Sequence, residues 1–166
     1  MRRPYDGIFT RTQRWNDKCC RASYAKFALM GHNGEDYGLP QGTRVAAPHG
    51  GKIIEAQFDS GYGNYVKIED LAQGSVLAQL SKISVQVGMQ RIEGNEIGLS
   101  GNTGNSTGPH LHWGYYKLPR NRENGFNGFI DQSDWMNVST QFDVKIKELS
   151  EKAGQLQTQI AVLKTR

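Results

Sequence analysis

Two short motifs far apart in the chain, His32-Asn-Gly-Glu-Asp36 and His110-Leu-His112, constrain its fold more than any other feature. Side chains two apart on a strand point to the same face, roughly 6.6 Å apart along it. One of His110 and His112 can therefore hold a metal ion while the other stands beside the ion's open position. His32 and Asp36 are also same-face positions, but four extended residues would separate them by about 13 Å, too far to share an ion with ligand bonds near 2 Å. The chain must curl between them, and Gly34 permits that. Two imidazoles and one carboxylate leave the fourth position of tetrahedral Zn²⁺ open, the pattern of a catalytic rather than a closed structural site.

Four histidines could also be scattered surface or core groups. His49, in Ala-Pro-His-Gly-Gly, has that plainer reading as a polar turn residue. For His32, Asp36 and His112 the spacing, the glycines and the Ser106-Thr-Gly-Pro109 run favour one shared metal site.

At these residues the chain resembles the lysostaphin-type zinc endopeptidases, which cut the peptide part of bacterial cell walls. The resemblance extends to Gly42-Thr-Arg-Val-Ala-Ala-Pro, to Gly61-Tyr-Gly-Asn-Tyr-Val-Lys-Ile and to Ile97-Gly-Leu-Ser-Gly-Asn-Thr-Gly, and it covers residues 24 to 135. It implies that His32, Asp36 and His112 hold Zn²⁺, that His110 accepts a proton beside it, and that the substrate is a peptidoglycan peptide. The sequence departs from the family at one place. The family carries a further active-site His in a Tyr-x-His-Leu strand, and the equivalent stretch is Leu77-Ala78-Gln79-Leu80. Glutamine can donate a hydrogen bond to an oxyanion but cannot carry a proton near neutral pH. Losing a general acid-base group costs on the order of 10²- to 10⁴-fold in rate.

Two functional readings follow. The first is a zinc-dependent endopeptidase cutting the peptide cross-links of peptidoglycan. The second is a structural or wall-binding module that keeps the fold and has lost turnover through Gln79. The aromatics Tyr62, Tyr65 and Trp113 serve either, or ordinary sheet packing.

The fold expected is mainly β. Glycine, at 20 of 166 residues, is well above its usual share and points to short strands joined by turns. Gly51 to Phe58 and Asn64 to Glu69 read as strands of a hairpin closed by Asp59-Ser-Gly-Tyr-Gly63. Leu77 to Leu80 and Glu96 to Leu99 are shorter candidates, and Pro109 to Tyr116 reads as the strand carrying His110 and His112. This implies an antiparallel architecture, which the resemblance narrows to a compact sheet with the metal in a groove across it. Residues 1–25 read as an irregular basic lead, 26–140 as the β domain and 141–166 as a C-terminal helix.

That helix rests on periodicity. Phe142, Ile146, Leu149, Ala153, Leu156, Ile160 and Leu163 alternate spacings of four and three, a heptad stripe that predicts self-association or a partner helix through residues 142–163. A single amphipathic helix folded onto its own domain is the plainer alternative. A net charge of +4 is too modest and too dispersed for a nucleic-acid partner, though it favours an anionic wall surface. Cys19 and Cys20 are adjacent, which disfavours a disulfide between them and leaves a structural thiol pair. No run of apolar residues is long enough to span a membrane, and no signal peptide is visible. A wall hydrolase without an export signal is expected in a virion or injection machine, or outside the cell after release.

Overall fold

The computed structural model describes residues 1–19 and 21–132, together with Leu149 and Lys152. Cys20 and all other positions of the heptad stripe lie outside the described residues. Among those described, no helix is long and apolar enough to cross a membrane.

Among the described residues nine strands form one antiparallel sheet, and the mainly β expectation is met. They are β1 (Arg11–Gln13), β2 (Glu35–Tyr37), β3 (Arg44–Ala46), β4 (Gly51–Asp59), β5 (Gly63–Glu69), β6 (Gln73–Ile83), β7 (Gln90–Arg91), β8 (Glu96–Ser100) and β9 (Leu111–Lys117), with one short helix α1 (Arg21–Ala25). The order is β1-β2-β9-β6-β5-β4-β7, and β8 pairs with both β3 and β6 off this path.

The β4–β5 hairpin forms where the turn residues place it. Asp59 Oδ1 accepts from the backbone N–H groups of Gly61 (2.8 Å) and Tyr62 (2.6 Å), closing an Asx-type turn. Gly63 follows at φ +65, and a Cβ there would lie 2.3 Å from Thr103 Oγ1, so both conformation and space require glycine.

Alternation along β9 sorts its side chains between two faces. Leu111 and Trp113 are fully buried on one, where Trp113 Nε1 donates to Ser75 Oγ at 3.3 Å. His112 and Tyr116 lie on the other, and Tyr116 joins Tyr65, Val76, Ala78 and Phe129 in a buried cluster. Each large side chain so buried contributes about 1.5–3 kcal/mol, enough to hold a sheet of short strands together. Tyr65 and Trp113 thus belong to ordinary packing.

The central strand β6 changes partner midway. Gln73 to Ala78 pair with β9, whereas Leu80 to Ile83 pair with β8. Gln79 sits at the switch with φ +59, a left-handed conformation uncommon outside glycine. Beyond it β9 loses its β6 neighbour, and the His110 backbone joins the sheet through an isolated bridge to Gly101. The strand expected from Pro109 therefore begins at Leu111.

The segment expected to be an irregular lead contributes an edge strand. β1 pairs with β2, and Arg11 Nη1 donates to the fully buried Glu35 at 2.6 Å. Tyr37 donates its hydroxyl proton to the other oxygen of that carboxylate, and Tyr5 packs against Tyr37 with ring centroids 5.0 Å apart.

His49 lies in a bend, as expected of a polar turn residue, but its burial was not anticipated. It is buried, with Nε2 3.1 Å from Ser75 Oγ and Nδ1 2.8 Å from the Gly50 carbonyl. Burial pushes its pKa below the ordinary value of 6.5, against the opposing pull of the Gly50 carbonyl and Asp70. The unfolded chain therefore takes up a proton near pH 6.5 that the folded chain refuses, so this contribution to stability is lost as pH falls. Urea unfolding followed from about pH 7.5 to about pH 5.5 should show a shallower loss of stability for His49→Gln than for the native chain.

Candidate metal centre

The register of three strands builds the site. β2 and β9 pair so that Asp36 lies opposite His112, and β6 places Ala78 on the other side of His112. Cross-strand partners share a face, so Asp36 and His112 project together.

His32 precedes β2, and the chain bends at Asn33 and Gly34 before the strand begins. The curl required between His32 and Asp36 is present, but Gly34 serves it through space rather than through left-handed backbone. A Cβ on Gly34 would lie 2.7 Å from both His112 Cε1 and the Trp113 carbonyl. The His32 backbone is clamped on both sides, donating to the Asp17 carbonyl at 3.0 Å and accepting from the Asn16 N–H at 2.8 Å. Its Nδ1 lies 3.0 Å from the Arg14 carbonyl. A carbonyl only accepts, so Nδ1 carries the proton and Nε2 turns its lone pair to the centre.

Three donor atoms meet there. His32 Nε2 is 3.2 Å from Asp36 Oδ1 and 3.0 Å from His112 Nδ1. His112 Nδ1 is 3.0 Å from Asp36 Oδ1. Tetrahedral zinc with bonds of 2.0–2.1 Å needs its ligand atoms about 3.3 Å apart, so the triangle fits with little adjustment. All three residues are nearly buried, none more than 8% exposed.

The charges are prepared for a cation. Burial alone would raise the Asp36 carboxyl, but the imidazoles of His112 and His32 beside it outweigh burial and hold the group well below the usual carboxylate range. Burial lowers the His112 pKa against the pull of Asp36, which keeps the ring neutral and its lone pair available.

His110 stands beside this triangle. Its Nε2 is 3.7 Å from Asp36 Oδ2, and its Nδ1 donates to the Gly108 carbonyl at 2.8 Å, with Ser106 Oγ 3.2 Å away. The bond to Gly108 assigns the proton to Nδ1 and leaves Nε2 as the basic nitrogen facing the site.

Gln79 lies in the same groove, a cavity of about 440 Å³ that His32, Asp36, His110 and His112 also line. In an unbroken pleat it would face away from its neighbour Ala78. The left-handed backbone turns it toward the site. Its amide is arranged otherwise than the donor role expected from the sequence: Nε2 is spent on the Gly61 carbonyl at 3.4 Å, and Oε1 is buried with no hydrogen-bond partner among the described residues. Reversing the amide would set carbonyl against carbonyl, so the orphaned atom is an acceptor.

Tyr62 bounds the groove and accepts from Asn33 Nδ2 at 2.7 Å, and the Tyr24 ring stacks on His32 at 5.8 Å. Asn33, Tyr24 and the carbonyl of Arg14 were not anticipated. Asn33 is flagged only by following His32, and a backbone carbonyl has no residue code at all.

Residues 30–126, more than half of the chain, match peptidase family M23. The peptidoglycan DD-endopeptidase ShyA of Vibrio cholerae is 35% identical over 137 residues, which is 78% of this chain and 31% of that protein. Lysostaphin from Staphylococcus simulans superposes with a TM-score of 0.65 at 27% identity, over 78% of this chain and 50% of that one. A zinc-containing peptidase from Vibrio cholerae superposes at 0.64 with 29% identity, over 78% and 37%. The chain spans under a third of the length of curated relatives such as ShyA. The His-Asp-His donor set fits Zn²⁺. The chain belongs to peptidase family M23, the family of the lysostaphin-type peptidoglycan hydrolases.

Proposed function

We propose that this protein is a zinc-dependent endopeptidase that hydrolyses peptide cross-links of bacterial peptidoglycan. The observation that carries the reading is His110 Nε2, a lone pair set 3.7 Å from Asp36 Oδ2 at the mouth of a preformed triangle of ligand atoms. The substrate class is supported by relatives such as ShyA, a peptidoglycan DD-endopeptidase.

His32 Nε2, Asp36 Oδ1 and His112 Nδ1 would hold the ion. When bound, zinc supplies a Lewis acid that polarises the scissile carbonyl and lowers the pKa of a coordinated water toward about 7. His110 Nε2 takes the proton of the attacking water and returns it to the leaving amine. Asp36 Oδ2 faces the imidazolium formed in between and favours it electrostatically, while the Gly108 carbonyl keeps the ring in one tautomer. Gln79 contributes no proton transfer, so turnover rests on His110 alone.

Gln79 also favours a second reading, a wall-binding module with the ligand set intact and turnover lost. Self-association through residues 142–163 rests on the heptad stripe alone, and placement in a virion is proposed from a peptidase-like head carried on such a stem.

Wall turbidity and peptide release, measured with and without chelator, separate the two. Chelation and His112→Ala should each abolish cleavage, and His112→Ala should also empty the site of zinc. His110→Ala should keep its zinc and lose about 10²- to 10⁴-fold in rate. A native chain that is inert while Gln79→His gains chelator-sensitive cleavage would establish the binding module instead. Gly34→Ala should bind zinc at least about tenfold more weakly by competition with a chromogenic chelator, because its Cβ displaces the His112 ring.

A further inference from the structure

Two buried polar atoms of the groove, Gln79 Oε1 and His112 Nε2, are used by neither the fold nor the catalytic scheme. Gln79 Oε1 is buried and unpartnered among the described residues, in a residue only 5% exposed. Leaving a buried acceptor unmade costs free energy, and native proteins satisfy nearly all such groups. Nothing about the position is slack. The left-handed backbone at Gln79 turns the side chain into the groove, its backbone N–H donates to the Tyr62 carbonyl at 2.8 Å, and its Nε2 is tied to Gly61. Asn33 Nδ2 is spent on Tyr62 and His110 Nδ1 on Gly108, and His112 Nε2, itself unpartnered, makes no hydrogen bond to Gln79. The strain of a non-glycine left-handed residue persists where the surroundings over-determine it, and such residues cluster at ligand-binding sites.

We propose that Gln79 is a substrate-binding acceptor, its Oε1 receiving an N–H of the peptide bound beside the metal centre. The assignment rests on the peptidase reading for the class of ligand, and it goes beyond that reading by giving Gln79 a role opposite in polarity to an oxyanion donor. A peptide amide satisfies the orphaned oxygen, whereas an ester at the same place presents a second acceptor and leaves two lone pairs facing each other. The groove therefore selects amide over ester at one position flanking the scissile bond, and this selection is a property of binding rather than of turnover.

The test is calorimetric titration of the zinc-free full chain, which cannot turn over, with a purified cross-linked muropeptide dimer. A series of analogues carries an ester oxygen in place of each N–H beside the scissile bond in turn. The native chain should bind one member of the series about tenfold or more weakly than the amide. Gln79→Met, which keeps the side chain's length without a strong acceptor, should lose about tenfold for the amide and no longer distinguish that ester. Gln79→His, with one nitrogen to donate to Gly61 and one to accept, should keep the distinction. Equal binding of amide and every ester by the native chain overturns the proposal without needing any variant to fold. Equal amide affinity for the native chain and a folded Gln79→Met overturns it as well, and in both cases the peptidase reading stands because the muropeptide is bound. A native chain that binds no muropeptide at all removes the peptidase reading, and this proposal with it.

Discussion

The pairing of Asp36 with His112 across β2 and β9 is the constraint on which the rest of the site depends. Side chains alternate with period two, so a slip of one residue would turn either group to the opposite face and leave the other alone. The register is held from both sides. Trp113 and Leu111, the neighbours of His112, are fully buried on the far face, so a slip would also expose the largest side chain of the core. Metal binding and core packing are thus specified by the same alignment. The buried indole secures the imidazole without touching it.

The second determinant is the break in β6. A continuous β6–β9 ladder past Ala78 would pair His110 into the sheet and fill the space that a substrate must occupy. Instead the strand turns at Gln79 and continues with β8, leaving His110 on a single bridge and the end of β9 uncovered. A left-handed residue of this kind costs of order 1–3 kcal/mol. Ala78 and Leu80 on either side are fully buried, which offsets that cost. The groove therefore opens where the sheet splits, and loops and the short helix α1 supply its remaining walls.

What could be read from the sequence divides along physical lines. The ligand set was legible because metal chemistry demands particular residue types at particular spacings. The β4–β5 hairpin was legible because alternation and an Asp-Ser-Gly turn are local signals. β2 was not, since Glu35-Asp36-Tyr37 has the composition of a loop and is buried only because Arg11, Tyr37 and the metal site absorb its charges. β1, β3 and β7 run to three residues or fewer, too short for any period to show. The extent of β6 was hidden for a related reason: its ends, from Gln73 and to Ile83, carry polar residues that only the two different partner strands explain. The burial of His49 was equally invisible, because Ser75 meets it from a distant strand. His32's dependence on the Arg14 carbonyl made the basic lead part of the site, although nothing in its residues marks it so.

Two adjacent carboxylates show how the lead serves the metal centre. Glu35 and Asp36 are consecutive on β2 and so point to opposite faces. Both are buried, and two buried anions side by side would raise each other's pKa and disfavour ionisation. The lead removes that conflict. Arg11 pairs with Glu35 at 2.6 Å and Tyr37 donates to its second oxygen, so the charge on that face is neutralised locally. Asp36 then has no Lys or Arg partner among the described residues, where its charge partners are imidazoles. Removing Arg11 would strand a buried charge beside the metal centre, a change costing far more than an exposed ion pair contributes. The edge strand β1 thus does electrostatic work for the site on the opposite face of the sheet, and the Arg14 carbonyl a few residues on does the corresponding geometric work for His32.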